Sequence, residues 1–219
     1  LAREGRSAVW IQVDDVFAAM GTASDNFYGS ASSAMSIVGI TGTNGKTTTT
    51  ALLGAMFDAA GLSAEVAGNI GRPLTSLVGL AVPDAWIVCE LSSFQLEDID
   101  TLRPRISVLL NLEPDHLDRH GSFEAYRDAK LRIFENQEAN DVAIVPRGFG
   151  PVPGAAHRVE FGGGDPLPAE SLIPGAHNRE NVLAAGVTAR LAGATPAAVQ
   201  RAIDDVVPLP HRLALVAEW

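Results

Sequence analysis

The sequence predicts an α/β fold, a doubly wound and mostly parallel sheet covered by helices. Three observations carry that reading. Short apolar runs alternate with stretches of helical period along most of the chain. Two of those runs are apolar throughout, as strands buried on both faces are. One run leads straight into a glycine-bearing loop followed by an amphipathic segment. The chain has 219 residues, 47% apolar and 19% charged, a globular composition with enough length to bury a real core.

Residues 1–34 read as a linker with a short helix over Val13–Met20. Met35–Thr41 is a strand that enters the loop TGTNGKT. The helix after it places Leu52, Leu53, Met56, Phe57 and Ala60 on one face, with Gly61 as its C-cap. Trp86–Leu91 and Ile106–Asn111 are the two wholly apolar strands. Ser122 caps a helix reaching about Glu135, and Val142–Val145 is a further strand. Gly148–Gly164 is rich in Gly and Pro, which predicts loops around one short strand, Arg158–Phe161. A helix from about His177 to Leu191 follows. Thr195 and Pro196 then open another, with Val199, Ala202, Ile203 and Val206 on its buried face.

Sixteen basic residues against 26 acidic ones give a net charge of −10, which argues against a general affinity for nucleic acid. An anionic small molecule remains compatible, because a few local cations and backbone N–H groups suffice to hold one. The single cysteine, Cys89, cannot form an internal disulfide, in keeping with a reducing, cytoplasmic setting. No apolar run of about 18 residues and no signal-peptide pattern is present, so membrane insertion and export are not expected. The chain starts at Leu1, without an initiator Met, and is expected to be a fragment.

Gly42, Thr43, Asn44, Gly45, Lys46 and Thr47, with Thr48 after them, lie between a strand and an amphipathic helix. Glycines there let successive N–H groups converge on phosphate oxygens, and the helix N-terminus adds its positive end. Lys46 would reach the β- and γ-phosphates, and the Thr47 hydroxyl would coordinate Mg²⁺. Ile40 stands where the strict pattern has its first glycine, so Gly42 serves a shorter variant of the turn. No Asn-Lys-x-Asp segment exists, which favours ATP over GTP.

Ligands of open parallel sheets gather at the carboxyl ends of the strands, where Glu90 and Asn111 stand. Glu90 follows four apolar residues, a costly place for an unpaired carboxylate that Mg²⁺ would satisfy; the alternative is a surface residue at a strand end. His116 is either a metal ligand or a packed or solvated histidine. Lys130 shares its helix face with Phe123, Tyr126, Ile133 and Phe134. An inward lysine is pushed toward its neutral amine, which reacts with carbon dioxide to give a carbamate; the alternative is a packed stem with a solvated ammonium.

TGTNGKTTTT, GNIG at 68–71, ELSSFQLE at 90–97, NLEPDHLDRHGS at 111–122, YRDAKLRIF at 126–134, GAHNREN at 175–181 and LPHR at 209–212 together resemble the Mur ligase family. Their order is the family's order. The wording of ELSSFQLE, GNIG and DHLDRHGS is similar to its D-glutamate-adding branch, while the stretch before the loop is similar to the diaminopimelate- or lysine-adding branch.

The resemblance implies three domains, with residues 1–34 a lead-in from an N-terminal one, 35–215 the ATP-binding central one, and 216–219 the hinge to a C-terminal one. It implies that Lys46 contacts phosphate, that Thr47 and Glu90 help hold Mg²⁺, and that His116 and a carbamylated Lys130 serve a second Mg²⁺. Asn178, Asn181 and Arg212 match nucleotide-contacting positions, and Asn69 and Ser92 match positions facing the UDP-muramoyl substrate. The implied function is an ATP-dependent amide ligase of peptidoglycan synthesis, a cytoplasmic monomer joining D-glutamate to UDP-N-acetylmuramoyl-L-alanine through an acyl phosphate. The isolated chain is expected to be inactive. The rivals are the diaminopimelate- or lysine-adding ligase and a nucleotide-binding module without catalysis. A generic P-loop kinase or GTPase leaves NLEPDHLDRHGS and GAHNREN unexplained.

Overall fold

A computed structural model describes residues 36–69, 72–77, 85–162, 164–167 and 175–205. The expected helix at 13–20, residues 1–34, Val206 and the LPHR segment lie outside the described residues.

Six strands form one sheet in the order β2-β3-β1-β4-β5-β6. They are β1 (Ser36–Thr41), β2 (Ala64–Gly68), β3 (Trp86–Glu90), β4 (Ile106–Leu109), β5 (Val142–Pro146) and β6 (His157–Phe161). Every pairing is parallel, and the register sets Val38 beside Val88 and Ile106. The helices are α1 (Lys46–Ala60), α2 (Ser93–Glu97), α3 (Leu117–His120), α4 (Phe123–Leu131), α5 (Ala176–Leu191) and α6 (Pro196–Asp205). The doubly wound fold is as the sequence predicts.

Alternate residues of the central strands supply two separate cores, which is why those strands read as unbroken apolar runs. Val38, Ile40, Val88, Val108 and Ile144 face α1, α5 and α6, packing on Leu53, Phe57, Val182 and Ile203. Ile37, Ile87, Cys89, Leu109 and Val145 face the other way, against Leu77, Leu96, Ile133 and Phe134.

Local signals hold as well. Gly61 ends α1 in the left-handed region, and the Ser122 hydroxyl accepts from Ala125 N at the start of α4. Thr195 Oγ1 accepts from Ala198 N at 3.2 Å ahead of Pro196. The helix expected to reach Glu135 tightens after Leu131 into a 3₁₀ turn, Arg132–Phe134, which turns Ile133 and Phe134 into the core. The ladder of β4 stops at Leu109, two residues short of expectation, and Leu110 N instead donates to Thr41 O at 2.9 Å. Strand β2 and helices α2 and α3 were not expected from the sequence.

Candidate functional site

The chain crosses from β3 on one side of β1 to β4 on the other, so the crevice for a ligand lies beyond the carboxyl end of β1. The loop 42–45 sits there and is clamped to the segment after β4. Asn44 N donates to Asn111 Oδ1 at 2.8 Å, Asn111 Nδ2 donates to Asn44 O at 3.1 Å, and Thr43 N donates to Asn111 O at 3.1 Å. Gly45 opens α1 with φ +82°, and no side chain caps the helix. Its first N–H groups therefore point outward at the loop, an arrangement suited to an anion. Thr47 and Thr48 are half-buried in that first turn.

A Cβ on Gly45 would overlap Asn181 Oδ1, so α5 lays an asparagine directly on the loop. Asn178 and Asn181 are both buried, and Asn181 Nδ2 donates to Asn178 Oδ1 at 3.4 Å. The structure thus brings Asn181 to the phosphate loop, with Asn178 beside it. Arg212 lies outside the described residues.

Two lysine amines converge on one carbonyl. Lys46 Nζ donates to Gly42 O at 2.9 Å and to Thr43 O at 3.0 Å, and Lys130 Nζ donates to Gly42 O at 2.9 Å. Lys130 is 2% exposed and its Nζ stands 4.8 Å from the centroid of the Tyr126 ring. Burial first, and the Lys46 charge second, bring its pKa down to about 7, with Asp115 and Glu90 opposing. The inward orientation read from helical spacing is correct, and the alternative of a solvated ammonium is not what the structure holds. Phe123, expected on the same face, is half-buried.

Beside the amines lies a cavity of about 130 Å³. It is lined by five predicted residues, Lys46, Asn69, Ser92, His116 and Lys130, together with Ser93, Phe94, Asp115 and Tyr126. His116 is exposed, with φ +51° and its Nε2 3.5 Å from Asp115 Oδ2, and Phe94 packs on its ring at 5.1 Å. Such a φ is uncommon for a residue with a Cβ, though histidine tolerates it better than most. Ser92 spends its side chain on a capping box with Gln95, accepting from Gln95 N and meeting Gln95 Oε1 at 3.0 Å. Asn69 is exposed, and its N–H donates to Glu90 O at 2.9 Å.

Glu90 is 2% exposed, not a surface residue, and its charge acts on the buried Lys130 amine. A buried carboxylate in that state calls for a cation. Among the described residues no three His, Cys, Asp or Glu side chains gather as a ligand set. The donor set fits Mg²⁺, which takes one or two protein oxygens and completes its shell with water and phosphate.

Sequence reasoning missed Ser93, Phe94, Asp115 and Tyr126 as cavity residues. Ser92-x-x-Gln95 was a usable signal for α2, being a capping-box pattern. Among the described residues no helix is long and apolar enough to cross a membrane.

A family model described as the Mur ligase middle domain matches residues 40–148. A curated relative from Koribacter versatilis (strain Ellin345), named UDP-N-acetylmuramoylalanine--D-glutamate ligase, is 40% identical over 210 residues, covering 83% of this chain and 46% of the relative. The chain spans about half the length of the curated relatives it matches. Among solved structures, MurF from Acinetobacter baumannii aligns with a TM-score of 0.71 at 19% identity, over 94% of this chain and 53% of that one. FolC of E. coli, solved with DHPP and ADP, aligns with a TM-score of 0.63 at 18% identity, over 95% and 65%. At such identities the two structures speak for the fold alone.

Proposed function

The chain belongs to the Mur ligase family, and we propose that it is the ATP-binding middle domain of a ligase joining D-glutamate to UDP-N-acetylmuramoyl-L-alanine. The observation that carries this reading is the meeting of Lys46 and Lys130 on the Gly42 carbonyl, at the border between the phosphate loop and the cavity. A ligase of this kind must bring two anions together, the γ-phosphate of ATP and a carboxylate. Cations at the border between their two sites offset that repulsion and the charge that develops in transfer.

In the proposed reaction a carboxylate oxygen of the muramoyl-L-alanine attacks the γ-phosphorus, and ADP leaves with the bridging oxygen. The amino group of D-glutamate then attacks the acyl carbon, loses a proton, and expels phosphate as the amide forms. The loop N–H groups and Lys46 hold the polyphosphate, and Asn178, Asn181 and Arg212 serve as further nucleotide contacts. Asn69 and Ser92 face the muramoyl substrate.

An amine with a pKa of about 7 is substantially unprotonated at neutral pH. The neutral Lys130 amine adds to carbon dioxide, releases one proton, and becomes a carbamate, which places an anion where the neutral amine stood. Thr47 and Glu90 would help hold one Mg²⁺, and His116 and that carbamate would serve a second. When bound, the metal supplies positive charge to the phosphate and carboxylate oxygens. The reading includes a cytoplasmic monomer.

The test assays the full-length protein for amide formation with ATP. UDP-muramoyl-L-alanine plus D-glutamate should react, and the D-glutamyl-extended precursor plus diaminopimelate or lysine should not. Turnover of the extended precursor alone would assign the protein to the other branch. ATP binding without turnover of either would leave a nucleotide-binding module.

A further inference from the structure

Asn111 has no part in the reaction described above, yet three hydrogen bonds tie it to the phosphate loop. The parallel ladder between β1 and β4 ends where Thr41 meets Leu109, and its rungs continue beyond that point. Leu110 N donates to Thr41 O at 2.9 Å, and Thr43 N donates to Asn111 O at 3.1 Å. The Asn111 side chain adds the next two. Its Oδ1 accepts from Asn44 N at 2.8 Å, and its Nδ2 donates to Asn44 O at 3.1 Å.

The partners fix which way that amide faces. Asn44 N–H can only donate and Asn44 O can only accept, so the side-chain oxygen meets the first and the nitrogen the second. The side chain thus pairs with residue 44 as the backbone of a neighbouring strand would, and carries the sheet on into the loop. Glu113 closes the same seam. Thr43 Oγ1 donates to Glu113 O at 3.1 Å and accepts from Glu113 N at 3.0 Å, and Asn44 Nδ2 donates to Glu113 Oε2 at 3.2 Å.

The same stretch then runs to the cavity, which Asp115 and His116 line. Pro114 restricts the backbone between the two regions, and Asp115 Oδ1 accepts from His116 N at 2.9 Å. Residues 111–116 therefore hold the phosphate loop at one end and form part of the cavity wall at the other. Phosphoryl transfer needs its two reactants aligned as well as bound, and a misplacement of about 1 Å can cost about 100-fold in rate. We infer that Asn111 is a positioning residue, whose side-chain amide holds the phosphate loop, and the γ-phosphate on it, in register with the wall that receives the carboxylate. The inference rests on the ligase reading above.

The experiment measures kcat and KM of full-length wild type, Asn111→Ala and Asn111→Gln with UDP-muramoyl-L-alanine, D-glutamate and Mg·ATP. It also follows amide hydrogen exchange in the nucleotide-free proteins. Asn111→Ala should raise the KM for ATP about five- to thirtyfold, the worth of one or two part-exposed hydrogen bonds. Its kcat should fall about tenfold or more. The KM for UDP-muramoyl-L-alanine should be unchanged, because Asn111 does not itself line the cavity. The Asn44 amide should exchange at least about tenfold faster than in wild type, while that of Val38 in β1 stays as slow. Asn111→Gln keeps both amide groups but carries them one methylene farther, out of register with residue 44, and should lose nearly as much as alanine.

A glutamine variant as active as wild type would show that polarity suffices without register, and would overturn the proposal. So would an Asn44 amide that stays protected in Asn111→Ala, or a rise in the KM for ATP with kcat unchanged. A matching rise in the KM for UDP-muramoyl-L-alanine, the mark of a general loss of structure, would overturn it too. Should Asn111→Ala fail to fold, Asn111→Gln with the exchange measurement still decides. Absence of turnover of UDP-muramoyl-L-alanine by wild type sinks the ligase reading and this with it. Turnover that neither variant impairs sinks this proposal alone.

Discussion

The cavity has two walls built in different ways. One is the loop 42–47, a stretch of contiguous chain whose ligand groups are backbone N–H groups and one lysine. The other is a set of three rings, Phe94, His116 and Tyr126, brought from α2, from the start of α3 and from α4, with the buried His120 ring packed against Phe94 and Tyr126. The loop wall takes its shape from local backbone, so it needs glycines and a strand that turns into a helix. The ring wall exists only after three short elements have packed on one another. The two walls touch where Tyr126 Oη lies 3.0 Å from Thr43 Oγ1 and Lys130 Nζ reaches Gly42 O.

The comparison breaks most visibly at Gly45. Alanine there meets a left-handed φ of +82°, costing about 1–2 kcal/mol, and its methyl overlaps Asn181 Oδ1. Mg·ATP affinity of Gly45→Ala, measured by calorimetry, should fall at least about 100-fold, because the overlap displaces both the loop and the asparagine. Undiminished affinity would show that the loop backbone is not what holds the nucleotide.

Lys130, where the walls meet, has the next largest effect, and its sign follows from linkage. Its pKa is about 7 when folded against 10.5 for the free side chain. Between those values the unfolded chain binds more protons, so stability rises with pH through that window. Below about pH 7 the full penalty of a buried ammonium is present. Lys130→Met should therefore be more stable than wild type at pH 6.5, with the gap in urea midpoints closing toward pH 10 in carbonate-free buffer. Adding bicarbonate should shift wild type alone. A gap independent of pH would mean that the amine titrates as it does in water.

The same division explains what could be read in advance. Strands β1, β3, β4 and β5 are buried on both faces and announce themselves as apolar runs. Strand β2 does not, because as an edge strand it buries only Ala67 well and exposes Glu65 and Val66. The loop residues were legible from spacing, and so was the inward direction of Lys130, which seven residues from Phe123 and four from Tyr126 fix on a helix. Ser93, Phe94 and His120 were not, since α2 and α3 are five and four residues long, too short to display a period. Their roles come from contacts between segments 20 to 30 positions apart, which no local pattern encodes.

The smallest effect tests whether the two walls act as one. Tyr126 is buried, and its hydroxyl meets Thr43 Oγ1, which also accepts from Glu113 N at 3.0 Å. Tyr126→Phe removes that hydroxyl while leaving the ring against His120 and Lys130. The loss in stability should be about 1 kcal/mol, that of one part-buried hydrogen bond. If the contact also carries the ring wall's hold on the loop, Mg·ATP affinity should weaken by about two- to fivefold. Equal affinity with the stability loss intact would mean that Asn111 clamps the loop unaided, and that the rings serve the acceptor cavity only.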